Sequence, residues 1–160
     1  MTAPLRWTTG RDAVDGLLAR RHLDRVPANR EHAEMLLDQA RRHAASARIL
    51  RDSDLELAFS AAYDAARKAL TAVFAIQGLR PTSAGGHIAV YQGALAQFDP
   101  PLGATIKPFD WMRRTRNDAE YPQADSPALE ADDVDEAVEA ASGIIEMSAT
   151  LLDTLPPYGK

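Results

Sequence analysis

The sequence predicts an all-α fold: an up-and-down antiparallel bundle of four to five helices, preceded by an extra helical arm at the N-terminus. Alanine supplies 30 of the 160 residues, against 9 glycines and 6% aromatic residues, a composition that favours helices over strands. Apolar residues recur at helical spacing, and no segment alternates convincingly with period two. We divide the chain into an arm over residues 1–28 and a bundle domain over residues 29–160.

The first three predicted helices are bounded by residues that favour helix caps. A short helix from about residue 11 to 23 follows the capping-box spacing of Thr9 and Asp12. Asn29 is the expected N-cap of a second helix over residues 30–51. The third helix is predicted to begin at the capping-box spacing Ser53–Glu56 and to end at Gly78.

Prolines separate the later helices, which are predicted over residues 87–98, 102–121 and 132–155. Pro122 stops the second of these, and Pro108 breaks or starts it. The last helix begins in the acidic run Glu130–Glu136, where the helix dipole favours negative charge. Short connections between helices predict antiparallel neighbours.

Composition and charge exclude several classes of function. The chain has no cysteine, so disulfides and thiolate sites are excluded. Apolar runs are too short for a membrane span and no signal peptide is recognisable, so we expect a cytoplasmic protein. A net charge of −5 argues against non-specific duplex binding, which needs a basic face. Glu-x-x-His and His-Glu-x-x-His patterns are absent, so neither a metal site nor a cofactor is predicted.

An arginine cluster near the end of the fifth predicted helix is the main candidate for function. Arg113, Arg114 and Arg116 place three positive charges within four residues. Arg113, Asn117 and Tyr121 are spaced i, i+4, i+8 and are expected to share one face of the helix. The alternative interpretation is a solvated helix end with the ion pairs Arg116–Glu120 and Arg114–Asp118.

His87 is a weaker candidate. It follows Gly85 and Gly86 at a predicted helix start, where backbone amides are able to bind an anion. We favour a flexible loop leading into the helix, because no lysine or glycine-rich phosphate motif accompanies it.

Two stretches of the sequence resemble the HEPN superfamily (higher eukaryote and prokaryote nucleotide-binding domain). Residues 58–70, AFSAAYDAARKAL, resemble the small-residue, aromatic-bearing helix of these proteins. Residues 116–121, RNDAEY, resemble the family motif Arg-x(4–6)-His, in which a polar residue often follows the arginine. The predicted helix order from about residue 30 to 155 also fits the family's bundle, and leaves residues 1–28 as an addition.

The resemblance implies a homodimer in which the motif residues of both chains meet in a cleft. Many HEPN proteins are metal-independent ribonucleases that act as toxins or phage-defence effectors. Arg116 matches the family arginine, Asn117 the polar residue beside it, and Tyr121 stands where the family has histidine. Because tyrosine has a pKa near 10, it is a poor base at neutral pH. Tyrosine still donates hydrogen bonds and stacks on bases.

Three functions therefore stay open. The first is a dimeric RNA- or nucleotide-binding module, weak or inactive in catalysis, that presents Arg113, Arg116, Asn117 and Tyr121 to its ligand. The second is a metal-independent endoribonuclease toxin that uses Arg116, with an antitoxin partner such as a minimal nucleotidyltransferase. In that case Tyr121 or His87 would move the proton. The third is a non-catalytic helical dimer or adaptor.

Overall fold

The computed structural model describes residues 5–159, which form a helical bundle with one small antiparallel sheet. Within that range, five long helices make the bundle and two shorter ones accompany it, which confirms the predicted all-α class. The elements in chain order are α1 Arg11–Ala19, β1 Leu23–Arg25, α2 Arg30–Leu50, α3 Leu55–Gln77, β2 Leu79–Pro81, α4 Gly86–Phe98, α5 Gly103–Ile106, α6 Pro108–Glu120 and α7 Ala131–Thr154.

Helix α3 is the centre of the bundle and packs most extensively against α2 and α7. Small side chains line these contacts, so the helix backbones approach closely. The buried alanines of α3 are Ala58, Ala62, Ala65, Ala66, Ala69, Ala72 and Ala75. Larger buried side chains, among them Phe59, Tyr63 and Phe74, fill the spaces that remain.

Capping residues fix most helix ends close to their predicted positions. The Asn29 side chain accepts a hydrogen bond from the amide of His32 at 2.9 Å, as predicted. Gly78 ends α3 in the left-handed conformation with φ 79°, also as predicted. Helix α3, however, is capped by Asp54 rather than Ser53, because the Asp54 carboxylate accepts from the Leu57 amide at 3.0 Å.

The N-terminal segment differs from its prediction. Helix α1 ends at Ala19, before the predicted end at Leu23, and its N-cap is Gly10 in the left-handed conformation rather than a Thr9 capping box. Strand β1 follows and pairs with β2, with Leu23 opposite Pro81. A pair of three-residue strands is too short to show a period-two pattern, which is why the sequence did not reveal it.

The segment from residue 5 to 28 lies against the bundle. Helix α1 packs on α4, and its Val14 and Leu17 belong to the same buried cluster as the bundle core. The division at residue 28 into arm and bundle domain stays a prediction. None of the helices described is long and apolar enough to cross a bilayer.

The acidic start of α7 is explained by local contacts. The side chains of Glu130 and Asp133 form a capping box at its N-terminus. Asp135 accepts two hydrogen bonds from the guanidinium of Arg51, at 2.6 and 2.8 Å, which ties α7 to the end of α2. The negative charge of Asp135 is therefore paired with a positive charge of the same chain.

Candidate functional site

Arg116 lies on the side of α6 that faces α3. Its guanidinium carbon is 5.7 Å from the centroid of the Tyr63 ring, within the range of a cation–π contact. Its Nη2 is 3.9 Å from Oε1 of Glu120, an oxygen that also accepts a hydrogen bond from the Ser60 hydroxyl at 3.3 Å. The guanidinium is thus held against an aromatic face, and its predicted pair with Glu120 is present but long.

Tyr63 connects Arg116 to a second helix. Its side chain is fully buried, and its ring stacks on Phe109 at a centroid distance of 5.2 Å. The Tyr63 hydroxyl lies 2.6 Å from Nδ1 of His87 at the start of α4. Burial raises the pKa of Tyr63, so its hydroxyl keeps its proton and is able to donate it to a neutral imidazole.

His87 is held in the neutral form by its surroundings. Burial lowers its pKa most, and the positive charges of Arg67 and Arg116 lower it further, against an opposing effect of Asp64. In the neutral imidazole, Nδ1 either accepts from the Tyr63 hydroxyl, with the proton on Nε2, or donates to the Tyr63 oxygen, with Nε2 free. The local positive charge of the site therefore comes from the arginines.

Two buried guanidinium donors at this site lack acceptors. Arg67, one helical turn after Tyr63 on α3, has its Nη2 3.5 Å from Oδ1 of Asp64. The Nε atoms of Arg67 and Arg116 are both buried, and neither has a hydrogen-bond partner among the described residues. A buried donor without an acceptor costs free energy, while the two side chains as a whole are 26% and 27% exposed and so keep part of their charge accessible. We call Tyr63, Arg67, His87 and Arg116 the Arg116 site.

The other arginines of the cluster are differently placed. Arg113 is mostly buried and donates to Oδ1 of Asp110 from both Nε and Nη2, at 3.3 and 2.9 Å. Arg114 is exposed, and its Nε pairs with Oδ2 of the same carboxylate at 3.2 Å. The predicted Arg114–Asp118 pair is therefore wrong, since Asp110, one turn earlier on α6, takes its place.

Asn117 and Tyr121 are both exposed in the structure. Asn117 is exposed on α6, and its side chain makes no hydrogen bond to the described residues. Helix α6 ends at Glu120, so Tyr121 lies just beyond it, with 73% of its surface exposed. Whether these two residues bind a ligand stays a prediction.

Tyr63 and Arg67 were not predicted as site residues. Their i, i+4 spacing places them on one face of α3, but the same pattern is typical of any helix that packs through an aromatic residue. The sequence indicated His87 for its position at a helix start and as an alternative to Tyr121 in moving a proton. The structure brings these three residues to Arg116 from two other helices.

The arrangement offers two partly exposed guanidinium groups beside a neutral imidazole, while the phenol of Tyr63 is fully buried. Guanidinium groups suit phosphate, which accepts their paired donors. In the range 5–159, no three histidine, aspartate or glutamate side chains are grouped so that they could hold a metal ion. The site is therefore best matched to an anionic ligand.

Comparisons with known proteins agree with the predicted family. The family model of the HEPN domain matches residues 33–151, a span that includes every residue of the Arg116 site. Searches of curated proteins and of solved structures gave no significant match. HEPN domains have functions related to nucleotides and RNA. Because the match covers most of the chain and the fold is the all-α bundle expected of this family, the chain belongs to the HEPN domain family.

Proposed function

We propose that this protein is a binding module for the phosphate groups of RNA or of a nucleotide, and that Arg116 is its principal binding residue. The observation that carries the proposal is the pair of partly exposed guanidinium side chains of Arg67 and Arg116, whose carboxylate neighbours are 3.5 and 3.9 Å away. A phosphate has several acceptor oxygens and a negative charge, so it suits the partly exposed guanidinium groups and offsets their charge. Tyr63 holds the Arg116 guanidinium in place through its ring.

Binding is tested with fluorescently labelled single-stranded RNA and with ATP, by anisotropy and calorimetry at several salt concentrations. Arg116→Ala should weaken RNA binding by about 1–3 kcal/mol and reduce the salt slope by about one. Arg114→Ala is the matched control, because it removes the same charge from an exposed position on the same helix. Wild-type protein that binds neither ligand at low salt, or an Arg116→Ala variant that binds as wild type, would overturn the proposal.

We propose a homodimer that brings two Arg116 sites together. Leu57 and Tyr121 are large apolar side chains that are 53% and 73% exposed. They lie within a few residues of Ser60 and Glu120, whose side chains contact each other between α3 and α6. Exposed apolar groups of this size often belong to interfaces. Sedimentation should show a dimer that the Leu57→Ser/Tyr121→Ser variant weakens, and a wild-type monomer at high concentration would contradict this.

A metal-independent endoribonuclease is the second candidate, and the position of His87 favours it. The family histidine is replaced by Tyr121, but a neutral imidazole lies beside Tyr63 and Arg67 in the Arg116 site. In the tautomer whose Nδ1–H donates to the Tyr63 oxygen, Nε2 is free to take a proton from a ribose 2′-hydroxyl. Single-stranded RNA incubated in EDTA should then be cut by wild type, but not by His87→Ala or Arg116→Ala. Tyr121→Phe should keep its activity, and cleavage that depends on Tyr121 instead would exclude this mechanism.

A further inference from the structure

A cavity adjoins the Arg116 site between α3, β2 and the loop that leads into α4. Its volume of about 360 Å³ lies near the lower end of the range for small-molecule pockets, which suits one nucleotide better than an extended chain. Its polar wall consists of Arg67, Arg80, Thr82, Ser83, Gly86 and His87. Two of these residues, Arg67 and His87, also belong to the Arg116 site, so the cavity and the site share a wall.

The charged side chains that line the cavity are all positive. Two guanidinium groups line it, and none of its lining residues is acidic. Arg80 comes from β2 and is 65% exposed, with its Nη2 3.1 Å from Oδ2 of Asp24 on the paired strand β1. An exposed ion pair of this kind is weak, so the Arg80 guanidinium is available to a stronger anion.

Hydrogen bonds of Thr82 tie the loop beside the cavity to the N-terminal segment and to the start of α4. The Thr82 hydroxyl donates to the carbonyl of Arg21 at 2.6 Å and accepts from the amide of Gly85 at 3.3 Å. Helix α4 starts after this loop without a capping side chain, and its first amide, that of Gly86, donates to the carbonyl of Thr82 at 3.2 Å. Pro81 and Val90 add an apolar part to the wall, which suits the flat surface of a base or a sugar.

We infer that this cavity binds one 5′-phosphorylated nucleotide unit, with Arg80 and Arg67 on the phosphate and Pro81 and Val90 against the nucleoside. The inference rests on the proposed function, because it names the ligand class of the surface that adjoins the Arg116 site. A phosphate monoester is the shared chemistry. It is present both in a free mononucleotide and at the 5′ end of a phosphorylated RNA.

The test compares four ligands: inorganic phosphate, 5′-AMP, and one short single-stranded RNA with either a 5′-phosphate or a 5′-hydroxyl. Arg80→Ala should weaken binding of 5′-AMP or of the 5′-phosphorylated RNA by about tenfold, and leave the 5′-hydroxyl RNA unchanged. Tight binding of 5′-AMP itself identifies a free nucleotide as the source, and a preference for the 5′-phosphorylated RNA identifies an RNA end.

Asp24→Asn is the matched control, because it breaks the same ion pair and leaves the Arg80 guanidinium in place. It should bind at least as tightly as wild type. If it weakens binding as much as Arg80→Ala does, the effect is structural and the inference is wrong. The inference also fails, and the proposed function stands, if Arg116→Ala weakens RNA binding while Arg80→Ala changes none of the four affinities. If neither variant changes any affinity, both fail.

Discussion

The hydrogen bond between Tyr63 and His87 should appear as a measurable coupling in protein stability. The Tyr63 hydroxyl and Nδ1 of His87 are 2.6 Å apart, and the tyrosine is fully buried. Tyr63→Phe removes the hydroxyl but keeps the ring on Phe109, so its cost is the lost bond and an unpaired imidazole nitrogen, about 1–2 kcal/mol. His87→Leu leaves a buried hydroxyl without a partner, which costs about 1–3 kcal/mol.

The double variant removes both polar groups and leaves neither unpaired. It should therefore be about as stable as the more stable single variant, which gives a coupling energy equal to the cost of the less stable one, about 1–3 kcal/mol. Each single variant should also lower the melting temperature by about 2–12 °C, given the size of the domain. Urea unfolding of the four proteins near pH 8, where His87 is neutral, measures the coupling.

Tyr91→Phe is the control for this cycle. Tyr91 also stacks on Phe109, at a centroid distance of 6.3 Å, but its hydroxyl makes no hydrogen bond to the described residues. Its loss should change the free energy of unfolding by less than about 0.5 kcal/mol. Effects of Tyr63→Phe and His87→Leu that add to within about 0.5 kcal/mol would refute the hydrogen bond as a stabilising contact.

Three further outcomes are expected. Burial lowers the pKa of both His87 and His43, so the unfolded chain binds more protons than the folded one below about pH 6.5. The free energy of unfolding should therefore fall as the pH drops from 7 toward the pKa values of the two histidines in the folded protein, and it should fall less steeply in His87→Leu. Urea midpoints that do not change over this pH range would contradict the prediction. Asn29→Ala removes a cap and should cost about 1 kcal/mol by calorimetry, while Asn29→Asp should cost little. Phe109→Ala, at a fully buried position, should cost about 3–5 kcal/mol in urea unfolding, against a smaller loss in Phe109→Leu.

Local sequence signals predicted the bundle because helix boundaries depend on neighbouring residues. Asn29 and Gly78 mark real helix ends, and Pro108 stands at the first position of α6. The β1–β2 pair was missed because its strands are brought together across more than fifty residues by packing, not by any local pattern. Patterns among neighbouring residues thus predicted the helices but not the contacts between residues far apart in the sequence.

The candidate site was likewise predicted only where a local sequence pattern indicated it. Arg116 was predicted, because clustered arginines are visible along the sequence. Its partners Tyr63 and His87 lie on two other helices, and only tertiary packing brings them to it. Arg113 and Asn117 lie one turn apart in α6 and Tyr121 is its C-cap, with its amide bonded to the Asn117 carbonyl at 3.0 Å, so a shared role of the three stays a prediction.

Some of the residues that hold the loop before His87 lie outside the span that the HEPN family model matches. Residues Arg21 and His22, which lie before the matched span 33–151, hold the loop that leads into α4. A methyl group built on Gly85 would come within 2.6 Å of the His22 side chain, so the two segments are in direct contact. A protein trimmed to residues 33–151 would keep every residue of the Arg116 site and lose the contact that sets the start of α4. Assays on a chain shortened to its recognisable domain would then underestimate any function that depends on His87.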